Sequence, residues 1–168
     1  CEYLLLAVKP QNFAAVAESI RGIPVEKVIT IMAGVTKKTI KDTLLGVDVK
    51  VARAMPNLPC SVGSGMIALD ASDFSENIDD CAFIDSLFSN CGTVLNLPEE
   101  KLNAVTGISG SGPAYVYLFI DGLIKAGMAH GLTEDEAKTL AVTTVYGGAE
   151  MVAHEEEKSI DELVSAVC

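Results

Sequence analysis

Tryptophan is absent from the 168 residues, and aromatic side chains make up only 5% of them. Ring stacking therefore cannot organise the interior, which must be drawn from a hydrophobic share of 49% that is mostly aliphatic, with 14 glycines. Such a composition suits buried parallel strands and closely crossing helices. Basic residues are scarce too, at 12 against 23 acidic ones, for a formal net charge of −11. They are scattered along the chain, so a phosphate backbone would be repelled and no nucleic-acid partner is expected. The five cysteines, Cys1, Cys60, Cys81, Cys91 and Cys168, lack Cys-x-x-Cys spacing and a neighbouring His. They read as reduced thiols rather than a disulfide framework or a zinc site, and no metal is expected. No apolar run nears the length of a membrane span, and no charged start is followed by an apolar block and a cleavage site. A soluble, cytoplasmic chain with one core or two small ones is expected. It begins at Cys1 and runs straight into an apolar strand without a lead-in, so a piece of a longer protein is expected as well.

What is present alternates strand and helix. Tyr3 to Val8 is a continuous apolar run stopped by Pro10, which predicts a strand buried on both faces. Phe13, Val16, Ala17 and Ile20 fall at helical spacing, and Lys27 to Met32 supplies a second strand ending at Ala33-Gly34. Thr36 can cap a helix carrying Ile40 and Leu44, before a third strand at Val49 to Ala54. The pattern is α/β with parallel strands. Ser61 to Leu69 reads as an added strand, Ser75 as the cap of a helix with Ile78, Ala82, Asp85 and Phe88 on neighbouring faces, and Thr93 to Leu97 as a short strand. Pro98 marks the expected domain boundary, giving residues 1–97 and 98–168. Beyond it, Glu99 to Val105, Pro113 to His130, Thr133 to His154 and Ser159 to Val167 all read as helices. Glu155, Glu156 and Glu157 read as a solvated helix end or turn.

In an open parallel sheet, ligands bind at the carboxyl ends of the strands, beside helix N-termini. Here those ends are Ala7-Val8-Lys9-Pro10 and Ile31-Met32-Ala33-Gly34, whose small residues would let a flat cofactor lie against the backbone. The competing reading, ordinary turns with an exposed Lys9, stays open. In Thr106-Gly107-Ile108-Ser109-Gly110-Ser111-Gly112-Pro113-Ala114-Tyr115, glycines and hydroxyls lead into a long helix. Ser111 could cap it, and free amides there could hold a carboxylate. A tight helix-to-helix turn explains the same residues. Gly122, Gly127, Gly147 and Gly148 lie inside helical patterns at about 1 kcal/mol each relative to Ala, which predicts close helix crossing. His130 and His154 have no partner at metal or triad spacing, and no catalytic residue can be named, which suits chemistry carried by a bound cofactor.

Three segments together, AVKP at Ala7 to Pro10, MPNLP at Met55 to Pro59 and TGISGSGPAY at Thr106 to Tyr115, resemble pyrroline-5-carboxylate reductase. The resemblance covers Cys1 to about Met151 and, more loosely, the remainder. It implies a Rossmann domain, here a partial Rossmann-like sheet, followed by an all-helical domain that interlocks with a second subunit as a homodimer or higher oligomer. It implies hydride transfer from NADPH or NADH to 1-pyrroline-5-carboxylate, giving L-proline. By resemblance, Ala7, Val8, Lys9 and Pro10 with Ile31, Met32 and Ala33 line the cofactor groove, and Met55, Pro56 and Asn57 lie near the nicotinamide end. Thr106, Ser109, Gly110, Ser111 and Gly112 face the substrate. The family's glycine-rich dinucleotide loop is expected before Cys1, and its Ser-Pro-Gly-Gly-Thr loop after Cys168. Two other readings stay open: a non-catalytic remnant of the fold, and another dehydrogenase of the same architecture.

Overall fold

Short runs of branched and small apolar residues form the strands of a five-stranded sheet in order β1-β2-β3-β4-β5 in the computed structural model, which describes residues 1–44, 48–155 and 157–168. The strands are β1 (Leu4–Leu6), β2 (Lys27–Thr30), β3 (Lys50–Met55), β4 (Gly65–Asp70) and β5 (Gly92–Asn96). β1, β2 and β3 run parallel, β4 is antiparallel to β3, and β5 is parallel to β4. The helices are α1 (Phe13–Ser19), α2 (Lys37–Leu44), α3 (Ile78–Ser89), α4 (Leu102–Val105), α5 (Gly112–Ala129), α6 (Glu134–His154) and α7 (Ile160–Ser165). This is a mostly parallel, Rossmann-like sheet followed by helices. The described residues gather into two compact units, Cys1–Pro113 and Ala114–Cys168.

The strand period of two decides where the first unit's core lies. Val28 and Val51 point to one face and pack with Leu6, Phe13, Met32 and Ile40, while Ile29 and Ala52 point to the other and pack with Ile67, Phe74 and Ile84. β2 and β3 are thus buried on both faces. β1 departs from expectation: among the described residues it pairs with β2 alone, and Leu5 is 52% exposed, so one face of this strand is open. The cap before α3 is Asn77, whose side chain accepts from the Asp79 and Asp80 amides, and not Ser75. Ser75 falls just past a 3-10 turn at Ser72–Phe74, and the first turn of α3 starts later than its composition suggests. Ile78 is correspondingly exposed, and α3 buries Asp80, Ile84 and Phe88. Thr36 does serve α2, its hydroxyl accepting from the Thr39 amide at 3.1 Å.

Asp80 holds β1, β2 and α3 together. Lys27 donates to it at 2.6 Å, the Tyr3 hydroxyl also donates to it, and the Tyr3 ring stacks on Phe83. The Lys27 ammonium, and then the Tyr3 hydroxyl, keep the Asp80 carboxyl below the usual carboxylate range. Because the folded value is depressed, the unfolded chain takes up this proton first as pH falls. The contribution of Asp80 is complete above the unfolded carboxylate value, about 4, and is lost as pH drops through the folded one. Asp80→Asn is expected to lower the urea midpoint at neutral pH and to flatten its fall below pH of about 4. An acid profile identical to that of the unmodified protein would contradict this.

In the second unit, Thr133 and Glu136 form a reciprocal capping box at the start of α6, and Ser159 with Glu162 repeats it at α7. The predicted close crossing occurs at Gly127, where a Cβ would lie 3.1 Å from both the Ala137 Cβ and Leu132 Cδ1. It does not occur at Gly122, Gly147 or Gly148, which face open space in this chain. Large apolar side chains, including Leu118, Phe119 and Tyr146, stand 61–70% exposed on α5 and α6. No helix among the described residues is long and apolar enough to cross a membrane. Of the acidic run, Glu155 pairs with Lys158 at 3.1 Å and Glu157 is exposed, while Glu156 lies outside the described residues.

Candidate functional site

Because β1, β2 and β3 are parallel, their carboxyl ends share one edge of the sheet. The segments Ala7–Pro10, Ile31–Ala33 and Met55–Asn57 all leave from it. The ends of the first two strands are tied directly: the Ile31 amide donates to the Leu6 carbonyl at 3.1 Å, and the Thr30 hydroxyl donates to the same carbonyl at 3.5 Å while accepting the Met32 amide at 3.2 Å. Ala7, Lys9, Pro10 and Ala33 are exposed, and Val8 and Ile31 are half-buried. Met32 is 2% exposed, packed with Leu6 and Val28, so its backbone rather than its side chain is what it offers this edge. Pro10 opens a 3-10 turn leading into α1, a position where its missing N–H costs nothing.

Thr106–Gly110 is neither an open helix start nor a tight turn between helices. It is a π-helical turn joining α4 to α5, with the Ser111 amide donating to the Thr106 carbonyl at 2.9 Å. Ser111 closes the π turn in the right-handed helical region, φ −88° and ψ −22°, and so does not take the extended conformation of an N-cap for α5. The hydroxyls of Thr106 and Ser109 donate back to the carbonyls of Leu102 and Val105 at 3.2 and 3.3 Å. The extra residue of a π turn widens the helix and redirects the side chains around it, and such turns concentrate at functional sites.

The two predicted site segments meet. The Asn57 amide nitrogen donates to the Ser109 carbonyl at 3.0 Å, across 52 residues of sequence, and its oxygen accepts from the Met66 amide at 2.9 Å. Met55 Cε would lie 3.3 Å from a Cβ placed on Gly110, so the absence of a side chain at Gly110 lets the π turn settle on Met55. Gly65 works in the same way beneath: a Cβ there would collide with Cys60 Sγ, and without one the 3-10 turn Leu58–Val62 lies against β4 and holds Asn57 in place. The strand edge and the turn thus form an open shelf. Two surface depressions, one between α1 and α2 and one along α3, contain none of these residues.

Along β3, before its Met55 end, lies a charged network. Lys37 is buried, and its ammonium contacts Asp70, Ser72 and Asp73 at 2.8–3.0 Å. Burial pushes the Lys37 pKa down, but Asp73 and Asp70 outweigh it and hold the group above its ordinary value. It is a fixed cation, unsuited to giving up a proton. Arg53 is 3% exposed and donates to Glu99 Oε1 at 3.2 Å and Asn103 Oδ1 at 3.5 Å. The available signal was Arg53 itself, a charge inside the otherwise apolar strand VARAM. Among the described residues no group of three or more His, Cys, Asp or Glu is placed to hold a metal ion. What the shelf offers is main-chain groups, hydroxyls, one amide side chain and the exposed Lys9 ammonium: means to bind and orient.

Residues 99–168 match the family described as pyrroline-5-carboxylate reductase dimerisation. The pyrroline-5-carboxylate reductase of Synechocystis sp. is 44% identical over 157 residues, covering 93% of this chain and 58% of the relative. That of Aquifex aeolicus is 35% identical, covering 99% of this chain and 61% of the relative. The crystal structure of Plasmodium falciparum pyrroline carboxylate reductase with NADP bound superposes with a TM-score of 0.88 at 31% identity, covering 100% of this chain and 63% of that one. The chain therefore spans about three fifths of the length of these relatives, 58–63%.

Proposed function

We propose that this chain, which belongs to the pyrroline-5-carboxylate reductase family, works as part of an enzyme that reduces 1-pyrroline-5-carboxylate to L-proline with NADPH or NADH. The observation that carries this reading is the hydrogen bond from Asn57 to the Ser109 carbonyl, which brings the strand edge and the π turn to one place. The strand edge fits a flat nicotinamide cofactor: Ala7 and Ala33 are small and exposed, and a Cβ on Gly34 would meet nothing within 4 Å. Ala7, Val8, Lys9 and Pro10, with Ile31, Met32, Ala33, Met55, Pro56 and Asn57, would hold it there. When bound, it supplies the hydride that the imine carbon accepts.

Thr106 and Ser109 to Gly112 would hold the cyclic imine. A protonated C=N bond is already electrophilic, so the chain has to bind the ring, align it and keep water away rather than furnish a strong acid or base. That accounts for a site of amides and hydroxyls. The exposed apolar side chains of α5 and α6 suit burial against a second copy, in a homodimer or higher oligomer, with residues 98–168 as the substrate and dimer part and 1–97 as the dinucleotide part. A cytoplasmic enzyme is the corresponding location.

The test is a direct assay of the full-length protein with each reduced nicotinamide and 1-pyrroline-5-carboxylate. Loss of nicotinamide absorbance with equimolar appearance of L-proline is expected. Failure of the folded protein to oxidise either cofactor in the presence of the imine would overturn the proposal.

A further inference from the structure

We infer that Arg53 and Glu99 are positioning residues that set the substrate turn at its working distance from the cofactor edge. The inference rests on the reading of the site given above. Arg53 sits in the middle of β3 between Ala52 and Ala54, which are 0% and 1% exposed. A guanidinium so deep is tolerated only where its donors are met. Its pairing neighbour across β4, Asp70, is engaged by Lys37 and Ser72. The partners that Arg53 has are Glu99 and Asn103, both on the segment leading into the π turn.

Glu99 in turn accepts the backbone N–H of Lys37 at 2.7 Å on the same oxygen that Arg53 reaches. Lys37 is the first residue of α2, so the carboxylate also lies at the positive end of that helix. One carboxylate oxygen therefore joins α2, β3 and the 3-10 turn Glu99–Lys101 that leads into α4. Each runs within a few residues into a proposed site segment: α2 follows Ile31–Ala33, β3 continues into Met55–Asn57, and α4 continues into Thr106–Gly110. Two ties then close a loop, Arg53 to Glu99 and Asn103 at its base, and Asn57 to Ser109 at its tip. With both arms short, a shift at the base is passed to the tip. Displacement of the turn by about 1 Å is enough to cost on the order of 100-fold in rate.

The test uses Glu99→Gln and Arg53→Lys in the full-length protein, with Ile84→Val in the opposite core cluster as a comparison for general loss of stability. Glu99→Gln keeps an acceptor for the Lys37 amide but loses the charge facing Arg53. Arg53→Lys keeps the charge but loses the fork that spans two partners. Hydrogen exchange is read on amides 103–111, including the Ser111 amide bonded to Thr106. Both variants are expected to exchange there about tenfold faster or more, with β2 and β3 still protected. At saturating cofactor and imine, kcat is expected to fall about tenfold or more with the cofactor KM within about threefold, beyond what Ile84→Val does at equal loss of Tm. Unchanged exchange over 103–111 in the folded variants, or a kcat no lower than that of Ile84→Val at matched Tm, overturns the inference. Should the unmodified protein fail to reduce the imine, the proposed function falls, and the exchange measurement alone still decides this one.

Discussion

Asn57→Asp in the full-length protein is expected to lower kcat/KM by about 100-fold while leaving a folded enzyme. The substitution changes one group: the amide nitrogen that donates to the Ser109 carbonyl becomes a carboxylate oxygen facing that carbonyl. The other half of the side chain still accepts the Met66 amide, so the 3-10 turn against β4 keeps its anchor. Loss of the tip bond and the new repulsion cost about 1–3 kcal/mol, modest against whole-domain stability. Their geometric effect falls on the spacing between strand edge and turn. Asn57→Ala removes both bonds and is expected to lose more stability for a similar loss of rate. Steady-state kinetics and thermal unfolding on one preparation separate these effects. An Asn57→Asp enzyme with normal kinetic constants would show that the contact between the two segments has no part in turnover.

Gly110→Val is the second large effect. Gly110 is not among the residues of positive φ, so backbone strain is not the issue; bulk is. A first carbon at Gly110 would already lie 3.3 Å from Met55 Cε and 3.5 Å from Thr106 Cγ2. Met55 is a flexible chain end and can yield to one methyl group, so Gly110→Ala is expected to be mild. The further carbons of Val must drive Met55 outward or lift the turn, at about 1–3 kcal/mol of overpacking. Because Met55 opens the proposed nicotinamide end, activity is expected to fall about 100-fold or more, far beyond the loss of Tm. If the segment were only a connector, Tm would fall while the surviving enzyme kept its kinetic constants.

Much of this was legible beforehand, for physical reasons that differ by element. Short apolar and β-branched runs located β1, β2 and β3, because a strand buried on both sides has to be such a run; β2 and β3 are buried on both sides, whereas β1 has the same run with one face open at Leu5. The same pattern says nothing of direction, so β4 could be expected beside the set but not antiparallel to β3. Ser75 and Asn77 are both capping types, and which one caps depends on where the first turn closes, a tertiary outcome. The Gly-Ser cluster stands out by composition, yet that composition fits a tight turn, a helix start and a π turn equally, and the bond that makes it a π turn, from the Ser111 amide to the Thr106 carbonyl, has no signature of its own. The tie between Asn57 and Ser109 spans 52 residues and has no local signature. Arg53 stands out as a charge within an apolar strand, but its partners Glu99 and Asn103 lie 46 and 50 residues on, beyond Pro98. Contact patterns across such distances are set by packing, which composition does not encode residue by residue.

The central claim is that Met55–Asn57 and Thr106–Gly112 form two walls of one site, with the cofactor on the first and the imine or its product on the second. A crystal structure of the full-length protein with oxidised nicotinamide cofactor and L-proline tests it most directly. The expected result is a nicotinamide ring against Met55–Asn57 and a proline carboxylate or ring held by Thr106 and Ser109–Gly112, with the Asn57 to Ser109 hydrogen bond intact. Both ligands bound with neither touching these two segments would contradict it.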